Sequence, residues 1–294
     1  MEKAVYHLPG LFEFYDFYRK FLPIYREKTE YFYDWCQIGS LYGAPADCLW
    51  AGGRVSTGNA DPRQVLALTE EYGLSARLTF SNSLLCPEHL KDPKCNRLCA
   101  LFGAESGNGV IVHSELLLDY LKEKYPNFYF VSSTTKVLTD FEDLAAETER
   151  PDFRYVVPDF RLNKAFDRLA GLKEKRKVEF LCNECCWPGC RERKECYENV
   201  SRKNLGERCP DHICAAPERE KGYRFSAAMK NPAFIGIRDI RETYLPMGFS
   251  QFKIEGRGLG SAMLLEFILY YLTKPEYQLP LREEMYLDSM LDLF

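Results

Sequence analysis

Along this chain, short apolar runs alternate with stretches in which apolar positions recur every three to four residues. The first rhythm predicts strands and the second predicts helices. Residues 11–35 are dense in aromatics and predict a helix interrupted near Pro23. CLWAGGRV (48–55) is expected to end a first strand. Asp61 then caps a helix with Pro62 at its first position, and Gly73 stops it after Tyr72. The pattern repeats through strand SARLTFSN (75–82), a helical region from Pro87 to Phe102, strand GVIVHS (109–114) and a helix to Tyr125 closed by Pro126. It continues with FYFVSST (128–134), a helix over Asp140–Thr148, RYVVPD (154–159), a helix near Lys164–Lys173 and VEFLCNE (178–184). After a cysteine-rich stretch come a helix at Ile237–Tyr244, strand SQFKIEGR (250–257) and a long helix from Leu259 to Thr273.

Buried strands that each hand over to a helix predict a parallel sheet. Repeated over most of 294 residues, such units fit an α/β fold of the TIM-like (β/α)8 barrel type, preceded by an N-terminal helix and followed by an acidic C-terminal tail. An open doubly wound sheet is the alternative, but no GxGxxG follows a strand. The expected organisation is one barrel domain over residues 1–275 with a cysteine-rich insertion at 182–214, then a tail over 276–294 ending in LDSMLDLF.

Composition narrows the class. Apolar content of 46% allows a substantial core, and a net charge of −4 argues against broad non-specific affinity for nucleic acid. The N-terminus lacks the apolar core of a signal peptide. The most apolar stretch, Ser261 to Leu272, is too short to span a bilayer and carries Glu266. These features predict a cytoplasmic protein with no membrane partner, in which twelve cysteines are thiols or ligands rather than disulfides.

In such barrels functional groups gather where strands end. The predicted strand ends carry Ser81 and Asn82, His113 and Ser114, Ser132 to Lys136, Asp159 with Arg161 and Asn163, Asn183 and Glu184, and Glu255 with Arg257. Ser114, Thr139 and Asp140 are explained as helix caps. Lys136, Arg161, Glu255 and Arg257 are not, because long charged side chains do not serve as N-caps; pocket and surface readings both stay open for them. A lone histidine such as His113, at the end of an apolar strand, is more often hydrogen-bonded than a ligand.

Seven of the cysteines fall between Cys182 and Cys214, interleaved with charged residues that do not belong in a core. Thiolates clustered at short spacing hold soft metals or iron–sulfur clusters. Only one CxxC exists, Cys182 to Cys185, and the remaining spacings are looser than a zinc ribbon. A 4Fe–4S cluster tolerates such irregularity; zinc, or no metal at all, is the alternative.

FKIEGR at 252–257, preceded by MGFSQ, resembles the signature of the collagenase-like peptidase family U-32. CNECCWPGCRERKEC resembles the Asn-Glu-x-Cys-x3-Cys-x2-Arg region of a divergent, iron–sulfur-binding branch of that superfamily, as do YGAP, LTFSN, HSELLLDYLKEKYPNFYFVSSTTK and VPDFRLNK in their order. The resemblance implies a TIM-like barrel and, by analogy, a 4Fe–4S cluster on Cys186, Cys190, Cys209 and Cys214, with Cys196 in reserve. Members of the superfamily include proteins described as peptidases and iron–sulfur proteins that assist oxygen-independent hydroxylation.

Three functions are therefore expected. In the first, a redox enzyme uses the cluster in hydroxylation-type chemistry on a small molecule or an RNA base. Glu255 and Arg257 orient the substrate, Asn183 and Glu184 act beside them, and His113, Lys136, Arg161 and Asn82 bind it. The second is a peptidase, although no Ser-His-Asp order and no HExxH is present. The third is a cluster- or zinc-stabilised module that binds RNA or a partner protein through the basic runs KEKRK (173–177) and RERK (191–194).

Overall fold

The structure is a computed structural model that describes residues 2–53, 58–217, 219–222 and 224–287, with the backbone alone at residues 221, 227 and 287. Strand β1 (Ala4–Pro9) leads to helix α1 (Tyr15–Glu27), β2 (Cys36–Gly43) to α2 (Pro62–Glu71), and β3 (Ser75–Phe80) to α3 (Pro93–Phe102). The next units are β4 (Gly109–Val112) with α4 (Glu115–Lys124), β5 (Tyr129–Ser132) with α5 (Phe141–Glu149), and β6 (Phe153–Val156) with α6 (Phe166–Ala170). Then β7 (Glu179–Leu181) is followed by α7 (Arg193–Asn204), α8 (Phe225–Ala228) and α9 (Ile237–Asp239), and β8 (Gln251–Lys253) by α10 (Ser261–Tyr271) and α11 (Gln278–Arg282).

All strand pairings are parallel, in the order β6-β5-β4-β3-β2-β1-β8-β7. A single parallel bridge between Val156 and Val178 joins the two ends. The sheet is thus an eight-stranded barrel with helices outside, the expected architecture.

Alternation along the strands separates two cores. Ala76, Leu78 and Phe80 of β3, Val110 and Val112 of β4, and Phe180 of β7 pack outward in the shell shared with the helices. Tyr42, Ile111, Val131, Val157 and Leu181 point inward and form a small apolar plug. Helix α1 buries Phe17, Tyr18, Phe21 and Leu22, and runs through Pro23; the proline removes only one rung of the helical ladder. The interruption expected at Pro23 does not occur.

Two strands depart from the sequence expectation. β1 and β2 precede residue 44, whereas the first strand was expected to end at 48–55. Residues 48–53 are instead a loop across the end of β3; Arg54 and Val55 lie outside the described residues. The loop is held by the Asn82 N–H on the Trp50 carbonyl (3.0 Å) and by the Trp50 indole on the His89 carbonyl (2.7 Å). Gly52 is required there, because a Cβ would lie 2.1 Å from the Ser81 carbonyl oxygen. The described part of the tail is a packed helical segment: Leu281 and Met285 are buried, and Arg282 pairs with Glu266 of α10 at 3.0 Å. Residues 288–294 of the expected tail lie outside the described residues. Among the described residues no helix is long and apolar enough to cross a membrane.

Candidate functional site

Beneath the apolar plug, the barrel interior carries charge. Arg77 donates to Glu179 Oε2 at 2.5 Å and to the Tyr129 hydroxyl at 2.8 Å. Lys253 Nζ lies 3.2 Å from Glu179 Oε1 and 3.6 Å from the centroid of the Tyr42 ring. The His7 ring is hydrogen-bonded to Ser40 through Nδ1 (2.8 Å) and to Gln251 through Nε2 (3.0 Å). Burial raises the Glu179 carboxyl, but Arg77, His7 and Lys253 outweigh it and hold the group far below the usual carboxylate range. Burial lowers His7 to about 3, and Arg77 adds to that shift. Burial and Arg77 likewise lower Lys253 to about 8 against the pull of Glu179.

Above the plug, at the C-terminal ends of the strands, lies a cavity of about 270 Å³. Glu184 and Cys185 just past β7, Lys253 on β8, and Glu255 and Arg257 just past it line one side. Thr79 and Ser81 from β3 and Ser133, Thr134 and Thr135 after β5 line the other. The hydroxyls of Thr79, Ser81 and Thr134 are buried and have no protein partner. Buried hydroxyls left in this state are receptive to a bound polar molecule.

The expected catalytic residues converge here in two different ways. Glu184 and Glu255 present carboxylates to the cavity, and one oxygen of each lies with Cys185 Sγ in a group whose members are all within 4.8 Å of one another. Glu184 is anchored by the N–H groups of Cys185 and Cys186, both at 3.0 Å, and by the Arg193 guanidinium. Arg257 also reaches the cavity, while its Nε donates to Glu13 at 2.7 Å. A Cβ on Gly53 would come 2.7 Å from Arg257 Nη1. Asn183 acts behind the cavity: its Nδ2 donates to the Glu255 carbonyl (2.9 Å) and its Oδ1 accepts the Glu255 N–H (2.7 Å). It fixes the backbone from which Glu255 projects.

The residues expected to bind substrate are placed differently. His113 Nδ1 meets Thr135 Oγ1 at 2.8 Å, so it supports the cavity wall, and burial lowers its pKa to about 4. Lys136 pairs with Glu147 (2.6 Å) and Glu115 (3.0 Å) and does not line the cavity. Arg161 pairs with Asp159 at 2.6 Å and donates to the Cys190 carbonyl at 2.8 Å. Asn82 ties the Leu49 carbonyl (3.0 Å) to the Ser201 carbonyl (3.2 Å) of α7.

Of the expected metal ligands, Cys186 lies near Arg161, and Cys190 meets the Arg161 guanidinium through its backbone carbonyl, not its thiol. Cys190 is buried, Cys196 opens α7, Cys209 Sγ accepts from Asn199 at 3.6 Å, and Cys214 is exposed. Among the described residues, the one trio of ligand atoms drawn together within 4.8 Å is Glu184, Cys185 and Glu255. A tetrahedral zinc site needs thiolates about 4 Å apart, whereas a cubane cluster spreads its ligands wider. The expected basic surface near the cysteines is reduced, because Arg193 is buried against Glu184. KEKRK lies before β7, at the end of the barrel opposite the cavity.

Lys253, Tyr42, Thr79 and Cys185 were not expected in the site. The signal for Lys253 was present: in FKIEGR a period of two puts Lys253, Glu255 and Arg257 on one face.

The strands and helices define an α/β-barrel protein with a polar cavity at the C-terminal strand ends. In fold the chain is similar to the solved U32 peptidase Mk0906, with a TM-score of 0.54 and 14% sequence identity over 88% of this chain and 94% of that one. No family model and no curated protein matches the chain by sequence.

Proposed function

We propose that this chain is a divergent U32-type barrel enzyme that acts on a small polar molecule, or on a single nucleobase, at a thiolate-supported metal centre. The observation that carries the enzyme reading is the polar cavity at the ends of β7 and β8, into which Glu184, Cys185, Glu255 and Arg257 project beside the cysteine-rich stretch. A cavity of about 270 Å³ matches a small polar molecule or a single side chain or base. The resident group proposed first is a 4Fe–4S cluster on Cys186, Cys190, Cys209 and Cys214, with Cys196 in reserve. Arg161, paired with Asp159, also lies near Cys186, and positive charge there favours a thiolate. Such a cluster supplies one-electron transfer when bound. Glu255, held at its backbone by Asn183, and Arg257, braced by Glu13, then orient the substrate.

The second reading is hydrolytic: one divalent cation on Glu184, Cys185 and Glu255, as a peptidase would use it. A mixed carboxylate and thiolate set suits zinc. Anaerobic purification and reconstitution, followed by metal and sulfide analysis with visible and paramagnetic resonance spectra, separates the two. Iron with matching acid-labile sulfide supports the cluster, and zinc alone supports the hydrolytic site. Protein that stays colourless and metal-free removes both.

A further inference from the structure

Two thiols outside the proposed centre are brought together by the fold. Cys48 stands in the loop after β2, and Cys95 lies in the first turn of α3. They are 47 residues apart in sequence, yet their Sγ atoms are 3.3 Å apart and both side chains are buried. Burial alone would suit inert packing thiols. Their surroundings are polar, however. The backbone N–H groups of Trp50 and Ala51 face Cys48, and the Lys94 ammonium is close by. The Cys95 thiol is the strongest influence on Cys48 and draws it toward the thiolate against the effect of burial. Cys95 is shifted the opposite way, first by Cys48 and then by burial. At 3.3 Å one sulfur can lose its proton while the other donates a hydrogen bond to it. Cys36, Cys99 and Cys182 differ: burial is the main influence on each, and it raises all three.

We propose that Cys48 and Cys95 are a redox-active pair that hydrogen peroxide converts into an intramolecular disulfide. Both thiols are buried, so the oxidant has to be nearly as small as water. The Cys48 thiolate attacks one peroxide oxygen; the O–O bond breaks, and the departing hydroxide takes up a proton to leave as water. Cys48 is then a sulfenic acid. The Cys95 sulfur displaces the sulfenic hydroxyl, which leaves as a second water with the Cys95 proton. Two thiols lose two electrons and two protons, and one peroxide is reduced to two waters. Closing from 3.3 Å to a disulfide of about 2.05 Å asks for a shift of about 1 Å. The bond would fasten the 48–53 loop, whose Gly53 lines the cavity, to α3. It would thereby fix one wall of the site.

The test is a peptide map. Fully reduced protein receives one equivalent of hydrogen peroxide, is quenched with catalase, alkylated under denaturing conditions and analysed by mass spectrometry. The expected result is that a Cys48–Cys95 linked peptide forms before other disulfides. It should be accompanied by a rise of several degrees in Tm that dithiothreitol reverses. Cys48→Ser and Cys95→Ser should lack both effects. Recovery of Cys48 and Cys95 as alkylated thiols at a dose that oxidises the exposed Cys185 or Cys214, or their linkage to other cysteines, overturns the proposal. The wild-type map decides the question even where a variant fails to fold. The result does not depend on whether the cavity holds a metal.

Discussion

Glu179 carries the negative charge of the network inside the barrel, and Glu179→Gln tests whether that network holds the fold together. The substitution keeps the shape and removes the charge. Arg77, 2.5 Å away, and Lys253, 3.2 Å away, are then left buried beside a neutral amide. Removing one partner of a buried ion pair costs about 3–5 kcal/mol, because the other charge stays desolvated. Lys253, already lowered to about 8, can relieve part of this by losing its proton, but an arginine cannot. The expected loss therefore rests mainly on Arg77 and corresponds to a fall in Tm on the order of 10 °C. Urea and thermal unfolding of Glu179→Gln, Arg77→Met and the double variant measure it. The double variant should be less destabilised than the sum of the two single ones. A Glu179→Gln protein that melts within 2 degrees or so of the wild type, or strict additivity in the cycle, would refute the reasoning.

Three further outcomes are expected. His7 is neutral when folded and lowered to about 3, against about 6.5 when unfolded; as pH falls through that window only the unfolded chain takes up the proton, so stability falls by about 2 kcal/mol between pH 6.5 and pH 5. His7→Gln should flatten that slope in urea titrations, and an unchanged slope would show that other groups cause it. Cys186→Ala and Cys190→Ala should lower the iron content of anaerobically reconstituted protein; full iron content in both would overturn their assignment as cluster ligands. Gly52→Ala should force the 48–53 loop off the Ser81 carbonyl, 2.1 Å from the added Cβ, at a cost of about 1–3 kcal/mol. An unaltered Tm would show that the loop adjusts freely.

How the chain folds was largely written in local rhythm. Six of the eight strands coincide with apolar runs visible in the sequence, from SARLTFSN to SQFKIEGR. Asp61, Ser114 and Asp140 cap helices as their residue types suggest. β1 and β2 were not legible. AVYHLP is short and runs into a dense aromatic stretch, while CQIGSLYG is broken by Gln37, Gly39 and Ser40. Both are strands because their ladder partners, including β8 more than two hundred residues away, complete their backbone hydrogen bonds.

The sequence by itself determined that strands alternate with helices and that polar groups collect where strands end. It also marked Glu184, Glu255 and Arg257 as candidates, and these line the cavity, because a strand end is a local property. Only the tertiary structure decided which of those groups face one another. It turned Lys136 toward Glu147 and Glu115, Arg161 toward Cys190 and Asn82 toward α7. It set His7, Arg77, Glu179 and Lys253 around a common point and brought Cys48 to Cys95. Closing the barrel fixes which inward side chains meet across it, and no pattern within one strand encodes the register of its neighbours.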